Sequence, residues 1–267
     1  MIDRLISKSK RTFRKIKKSI RKSFKKKDSG DANNLTGQYS RQTGDINILF
    51  NDFLKRGLKI NYILDIGAHS AGWIRNAVQY YPEATAYLIE PLTEMEKSLK
   101  QFCVDHPGSK YFLNGAGARE ETLYLTAESS LEGATFVPEI NPYLISSKIQ
   151  REIKVITVDS LIKAGLISIP EIVKIDVQGY ELEVLKGAEL LFGKTEAFIL
   201  EISLFEFVKG TPVFSEVISF MAQRGYEVYD FAGFLRRPFD GALGQIDVCF
   251  AMKDGYLRAR NDWHKIQ

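Results

Sequence analysis

The chain has 267 residues, 45% of them apolar, with 37 Lys/Arg against 33 Asp/Glu and a formal net charge of +4. That length and composition suit one large α/β domain with an appended tail. Its two cysteines, Cys103 and Cys249, stand far apart in no metal or redox spacing, and no apolar run approaches the roughly 18 residues needed to span a bilayer, so a disulfide framework and a membrane-spanning helix are excluded.

Charge is distributed unevenly along the chain. Residues 1–27 hold 13 Lys/Arg and one acid, Asp3, which leaves 24 bases against 32 acids in the remainder. Within that basic segment Ile2, Ile6, Phe13, Ile16, Ile20 and Phe24 recur at helical spacing. The pattern predicts an amphipathic helix that lies on an anionic membrane surface. A solvated basic arm and a non-specific nucleic-acid tether are the other readings of the same charge run. The segment has no apolar core of a secretory signal, and a cytoplasmic protein, peripheral at the inner face of the membrane, is expected. Residues 28–44 are polar and rich in Gly, Asn and Ser, and read as a linker to a domain over 45–267.

The spacing predicts a helix over 46–56, a strand over 61–66 and a helix over 72–81. A strand at 85–89 and a helix at 94–105 follow, then a strand at 111–116. Additional strands are expected at 122–126 and 152–158. A strand at 172–177 leads into a helix at 180–191. The remaining elements are a strand at 197–204, a helix at 213–224 and strands at 226–231 and 245–252. This βα alternation predicts an α/β fold, a doubly wound and mostly parallel sheet, with one late strand inserted antiparallel at an edge.

Asp65 ends the first strand and opens the loop Gly67-Ala68-His69-Ser70-Ala71-Gly72. A phosphate-binding loop would need Lys at position 73, which is Trp, and a dinucleotide fingerprint would need Gly at 69, which is His. What remains is an acid before a small-residue loop and a second acid, Glu90, at the end of the next strand. An acid there accepts the two hydroxyls of an adenosine ribose. The pairing of D-x-G at 65 with Glu90-Pro91 is the pattern of S-adenosylmethionine-dependent methyltransferases.

The most informative run is Ile172 to Glu189, reading IVKIDVQGYELEVLKGAE. Together with ILDIGAH (63–69), AYLIEP (86–91), LNGAGA (113–118), Ser129-Ser130-Leu131, ITVDSL (156–161), the stretch from Phe198 to Phe220 and GALGQIDVCF (241–250), it resembles the FkbM family of methyltransferases over about residues 60–252. The resemblance implies a Rossmann-like, seven-stranded methyltransferase sheet and S-adenosylmethionine as cofactor. It implies cofactor contacts from Asp65, Gly67, Ala68, His69, Glu90, Pro91, Asn114 and Ala116. The chain departs from the family's first loop, usually D-x-G-A-N-x-G, in having His69 for Asn and Ala71 for the second Gly.

Transfer of a methyl group to a hydroxyl needs a group to take the hydroxyl proton. Asp176, at the carboxyl end of the fourth core strand, is the first candidate and Glu201, on the next strand, the second. Two such carboxylates could instead hold a divalent cation. The bland alternatives are a helix cap for Asp176 and a surface ion pair for Glu201. His69 is as readily a structural histidine as a ligand. His106 and His264 read as surface residues, Trp73 and Phe136 as packing, and Glu181 as a first-turn charge facing the helix dipole. The leading expectation is an O-methyltransferase acting on a glycan or secondary metabolite. The alternatives are a nucleic-acid methyltransferase and a non-catalytic cofactor-binding module at a membrane. This chain lacks the Pro-Pro-aromatic turn that the first has after the fourth strand, which speaks against nucleic acid as a partner; the acids retained at 65, 90 and 176 speak against the second.

Overall fold

The computed structural model describes residues 42–127, 131, 133–136 and 140–262. The predicted basic helix at 1–27, nearly all of the predicted linker at 28–44, Ser129, Ser130 and His264 lie outside the described residues. From Thr43 onward the chain forms one compact unit.

The strands are β1 (Tyr62–Ile66), β2 (Thr85–Ile89), β3 (Lys110–Phe112), β4 (Gly115–Ala116), β5 (Glu121–Thr126), β6 (Gln150–Ile156), β7 (Ile172–Ile175), β8 (Ala197–Ser203), β9 (Tyr226–Arg236) and β10 (Leu243–Met252). Seven of them form one sheet in the order β3-β2-β1-β7-β8-β10-β9, while β4, β6 and β5 form a second, small sheet. β1, β2, β3, β7 and β8 are parallel, and β10 is the late antiparallel strand expected from the sequence, although it lies between β8 and β9 and the edge belongs to β9. The strand order reverses between β1 and β7. Ligands bind outside the carboxyl ends of strands at such a switch point.

The helices are α1 (Ile46–Lys55), α2 (Gly72–Tyr80), α3 (Glu96–Asp105), α4 (Pro142–Ser146), α5 (Val158–Lys163), α6 (Glu181–Lys186) and α7 (Phe214–Gln223). Leu49, Phe50 and Phe53 of α1, Ile74 and Ala77 of α2 and Leu99 and Phe102 of α3 share one buried cluster with Ile63 and Ile172. Leu161 of α5, Val184 and Leu185 of α6 and Val217 and Met221 of α7 share the other with Leu64, Ile66, Val173 and Ile175. Both faces of the central strands are therefore covered, which is why they are apolar at nearly every position rather than at alternate ones. No helix among the described residues is long and apolar enough to cross a membrane.

The short helices α4 and α5 were not expected from the sequence, and α5 begins at Val158, within the strand expected at 152–158. Three further elements differ in extent. The strand expected at 111–116 breaks at Leu113-Asn114; its first part stays in the main sheet and its second pairs with β6. The helix expected over 180–191 stops at Lys186, and a separate 3-10 turn follows at Glu189–Leu191. Gly187 ends it because the chain passes so close to Gly117 that a side chain at 187 would overlap the Gly117 carbonyl oxygen. β9 runs five residues beyond its expected end at Phe231, forming a long hairpin with β10.

Candidate active site

The loop after β1 is drawn back over the sheet by two backbone bonds, from the N–H groups of Gly67 and Ala68 to the Ile89 carbonyl, at 2.9 and 3.2 Å. Gly67 has φ +78°, and any Cβ there would overlap the carbonyl oxygen of Asp176. Only glycine lets the β1 and β7 ends approach this closely. Beside that contact lies a cavity of about 190 Å³, whose wall includes Gly67, His69, Glu90, Pro91, Asn114, Ala116, Asp176 and Gln178. Five non-glycine residues among those described have left-handed backbone, and three of them, His69, Leu131 and Gln178, line this cavity. Strained backbone concentrates where function requires a fixed geometry. Ala71, the departure from the family loop, also takes the left-handed conformation, with φ +64°.

Glu90 is buried, and its two oxygens accept from the His69 N–H at 2.7 Å and the Leu92 N–H at 2.9 Å. Burial raises its pKa; those two N–H groups and the His69 side chain act in the opposite direction. The carboxylate thus fixes the strained loop and still lines the cavity. His69 presents a second feature: its Nε2 is buried without a protein partner. Asn114 lines the cavity and donates from Nδ2 to the Lys154 carbonyl at 3.3 Å.

Asp65 and Ala68 lie behind the cavity wall rather than on it. Neither carboxylate oxygen of Asp65 has a partner in hydrogen-bond geometry, although the Ile74 N–H at the start of α2 weakly favours its charge. Burial pushes the Asp65 pKa up from 3.8 to about 7, with Lys174 opposing and Asp176 and Glu90 adding repulsion. The folded state therefore holds this proton more tightly than the unfolded chain. Stability contributed by the protonated form is present below pH 4 and is lost as pH rises towards 7. Asp65→Asn is expected to remove a loss on the order of 4 kcal/mol. Urea denaturation of the parent and the variant between pH 4 and 8 measures it, and parallel stability curves would contradict the assignment.

The second group of polar residues stands on β7, β8 and β10. Lys174 Nζ meets Asp176 Oδ2 at 2.7 Å. Gln178 Nε2 donates to Asp176 Oδ1 at 2.8 Å and to Glu201 Oε2 at 2.6 Å. Gln245 Nε2 donates to the same Glu201 oxygen at 2.8 Å. The amide orientation of Gln178 follows from chemistry, since an amide oxygen between two carboxylates would be repelled. Burial alone would raise the Asp176 pKa, but the Lys174 charge, its hydrogen bond and that of Gln178 hold it below the usual value. Glu201 moves the other way, up to about 8, through burial and then the charges of Asp176 and Asp247.

The structure thus joins Asp176 and Glu201, the two acids picked out in the sequence, through Gln178. Lys174, Gln245 and Asp247 went unnoticed. Lys174 reads as the outward position of an alternating strand, yet it is 5% exposed. Its signal was a lone cation in an inner parallel strand, where both faces are covered and a charge must be paired. Phe136 is a cavity wall and not simple packing, Glu181 is buried and accepts from the Gly179 N–H at 2.9 Å, and His106 is half-buried and stacks on Phe102 at 4.5 Å. Trp73 packs edge-on to Phe50 at 5.6 Å, as expected. The divalent cation considered for Asp176 and Glu201 is not supported. Among the described residues no group of three or more His, Cys, Asp or Glu side chains is disposed to hold a metal ion, and the positive charge at this pair comes from Lys174.

The family model described as the methyltransferase FkbM domain matches residues 65–228, from Asp65 at the end of β1 into β9. A search of curated proteins gives no match. Among solved structures, a precorrin-6y C5,15-methyltransferase from Geobacter metallireducens is 12% identical, with 76% of this chain and 87% of that one covered and a TM-score of 0.41. Fibrillarin from Aeropyrum pernix, solved with natively bound S-adenosyl-L-methionine, is 15% identical over 76% of this chain and 74% of that one, with a TM-score of 0.41. The fibrillarin pre-rRNA processing protein of Methanococcus jannaschii is 13% identical over 72% and 66%, with a TM-score of 0.46. The family match spans well over half of the chain and includes both acids of the site, so the chain belongs to the FkbM family and is an S-adenosylmethionine-dependent methyltransferase.

Proposed function

We propose that the protein methylates a hydroxyl group of a glycan or secondary metabolite. The observation that carries this reading is the Gln178 amide holding Asp176 and Glu201 together, at 2.8 and 2.6 Å, beside the cavity. A hydroxyl is a weak acid and needs a proton acceptor as it attacks; a pair of acids with oppositely displaced pKa values is an arrangement that supplies one. Adjacent to the first cavity is a second of about 440 Å³, which shares Phe136 with it and is lined by Tyr180, Glu183, Lys186, Thr211 and Glu216. Aromatic faces among charged hydrogen-bonding groups suit a sugar.

The residues around the first cavity fit the cofactor. Glu90 offers remaining lone pairs to the ribose hydroxyls, Gly67 leaves room for a close approach, and the unpartnered His69 Nε2 is available to the amino-acid end. Pro91, Asn114 and Ala116 complete the wall, while Asp65 and Ala68 support the loop from behind. When bound, S-adenosylmethionine supplies an electrophilic methyl group. The chain's own part is to hold the acceptor oxygen in line and to remove its proton. Asp176 lines the cavity and is kept ionised by Lys174, so it is the group assigned to that proton. Glu201 shares its field through Gln178.

Glu90→Gln is expected to weaken binding of S-adenosylhomocysteine about 10- to 100-fold, the range for losing charged hydrogen bonds. Isothermal titration calorimetry reads this, and unchanged affinity would remove Glu90 from the cofactor site. The acceptor class is tested with radiolabelled cofactor, purified protein and extracted cell glycans and small metabolites. Alkali-stable label on a sugar or metabolite hydroxyl is expected. Label confined to RNA, DNA or protein would refute the proposal.

A further inference from the structure

Five large apolar side chains stand exposed at the carboxyl edge of strands β8 and β9. Phe205 and Phe207 follow β8, Phe234 and Leu235 are near the end of β9, and Phe239 is in the turn to β10, with exposures of 37, 50, 48, 57 and 89%. Three of them are linked. Phe205 and Phe207 lie 5.8 Å apart, and the Arg237 guanidinium sits 4.0 Å from the Phe205 ring centre and 5.5 Å from that of Phe239. Arg237 is also paired with Asp240 at 2.7 Å, and the exposed Arg236 donates to the Gly241 carbonyl at 2.9 Å. An apolar patch of this kind marks an interaction surface.

Two observations choose the partner. Phe234 and Leu235 are consecutive on a strand, so their side chains leave opposite faces of the hairpin. A protein groove would cover one face, whereas a fluid apolar layer covers both. The second observation is where the N-terminal chain joins the fold. The Gly44 N–H donates to the Phe231 carbonyl at 3.0 Å, and a side chain at Gly44 would overlap the Phe234 ring. The described chain thus begins beside Phe234, and the sequence that precedes it carries 13 Lys/Arg in residues 1–27. Exposed aromatic and aliphatic side chains with Arg236, in a chain whose preceding sequence is polybasic, match the two-part chemistry of an anionic lipid surface.

We infer that the end of the β9–β10 hairpin, with Phe205 and Phe207, is a membrane-docking surface. Its apolar side chains enter the headgroup region of an anionic bilayer, and the basic N-terminal segment supplies the electrostatic attraction. This inference stands independently of the acceptor.

The test uses the full chain and vesicles of phosphatidylglycerol and phosphatidylcholine in equal parts. Phe239→Trp is expected to show a blue shift on vesicle addition, and stronger quenching than the parent when the lipids are brominated. Phe239→Asp is expected to lower co-sedimentation about tenfold. A sedimenting Phe239→Trp chain without extra quenching would assign binding to the basic segment alone and overturn the inference, as would a chain that does not sediment. Concentration-dependent dimerisation abolished by Phe239→Asp would instead give the surface to a second copy.

Discussion

Asp176→Asn is expected to lower the rate of methyl transfer by about 10²- to 10⁴-fold, the usual contribution of a positioned proton acceptor. Affinity for S-adenosylhomocysteine should change little, because Asn keeps the size of Asp and can accept through one oxygen. The reasoning rests on position and charge. Asp176 lines the cavity, and Lys174 at 2.7 Å keeps it ionised at neutral pH. Its neighbour Glu201 titrates near 8, held up by burial and then by the Asp176 charge. Below that value the pair carries one proton, and above it both carboxylates are ionised and the pair accepts a proton more readily. kcat/KM is therefore expected to rise with pH through about 8 and level off above it. Glu201→Gln should remove that limb of the profile. A single-turnover assay against pH decides both points. Retained transfer in Asp176→Asn would remove Asp176 from the chemical step, and an unchanged profile in Glu201→Gln would remove Glu201.

Gly67→Ala is expected to be the most damaging single methyl group in the domain. The added Cβ faces the Asp176 carbonyl oxygen, which is backbone and cannot rotate away, and the φ of +78° is unfavourable for alanine in any case. The left-handed conformation alone costs about 1–2 kcal/mol, and separating β1 from β7 adds to it. A loss of about 3 kcal/mol or more in urea denaturation is expected, with weaker binding of S-adenosylhomocysteine in whatever folded protein remains. The loop tied down by Gly67 and Ala68 positions His69, and the same movement displaces Asp176. Stability and affinity within error of the parent would show that the two strand ends separate freely.

The sequence by itself determined the order and type of the main elements. β2 at Thr85–Ile89 lies where the pattern predicts it, and α1, α2 and α7 do so within a residue or two, because apolar periodicity and Gly punctuation are local signals. It also determined the cofactor class, because the Asp65–Gly67 loop and Glu90 are local motifs on consecutive βα units. An antiparallel late strand was legible too, since two strands were expected in succession after Tyr226 with no helical pattern between them.

Tertiary structure alone decided which groups meet. Lys174 looked like an outward residue until helices on both faces of the sheet made it a buried cation in need of a carboxylate. Glu201 and Gln245 stand 23 and 67 positions from Gln178, and only the strand order β7-β8-β10 places the three amide and carboxylate groups in one hydrogen-bonded row. The break at Leu113-Asn114 and the early stop of α6 were likewise set at a distance, by pairing with β6 and by the close passage of Gly117 past Gly187. Periodicity reports which face of an element is apolar. It carries no record of which strand lies alongside, and the electrostatics of this site depend on that neighbour.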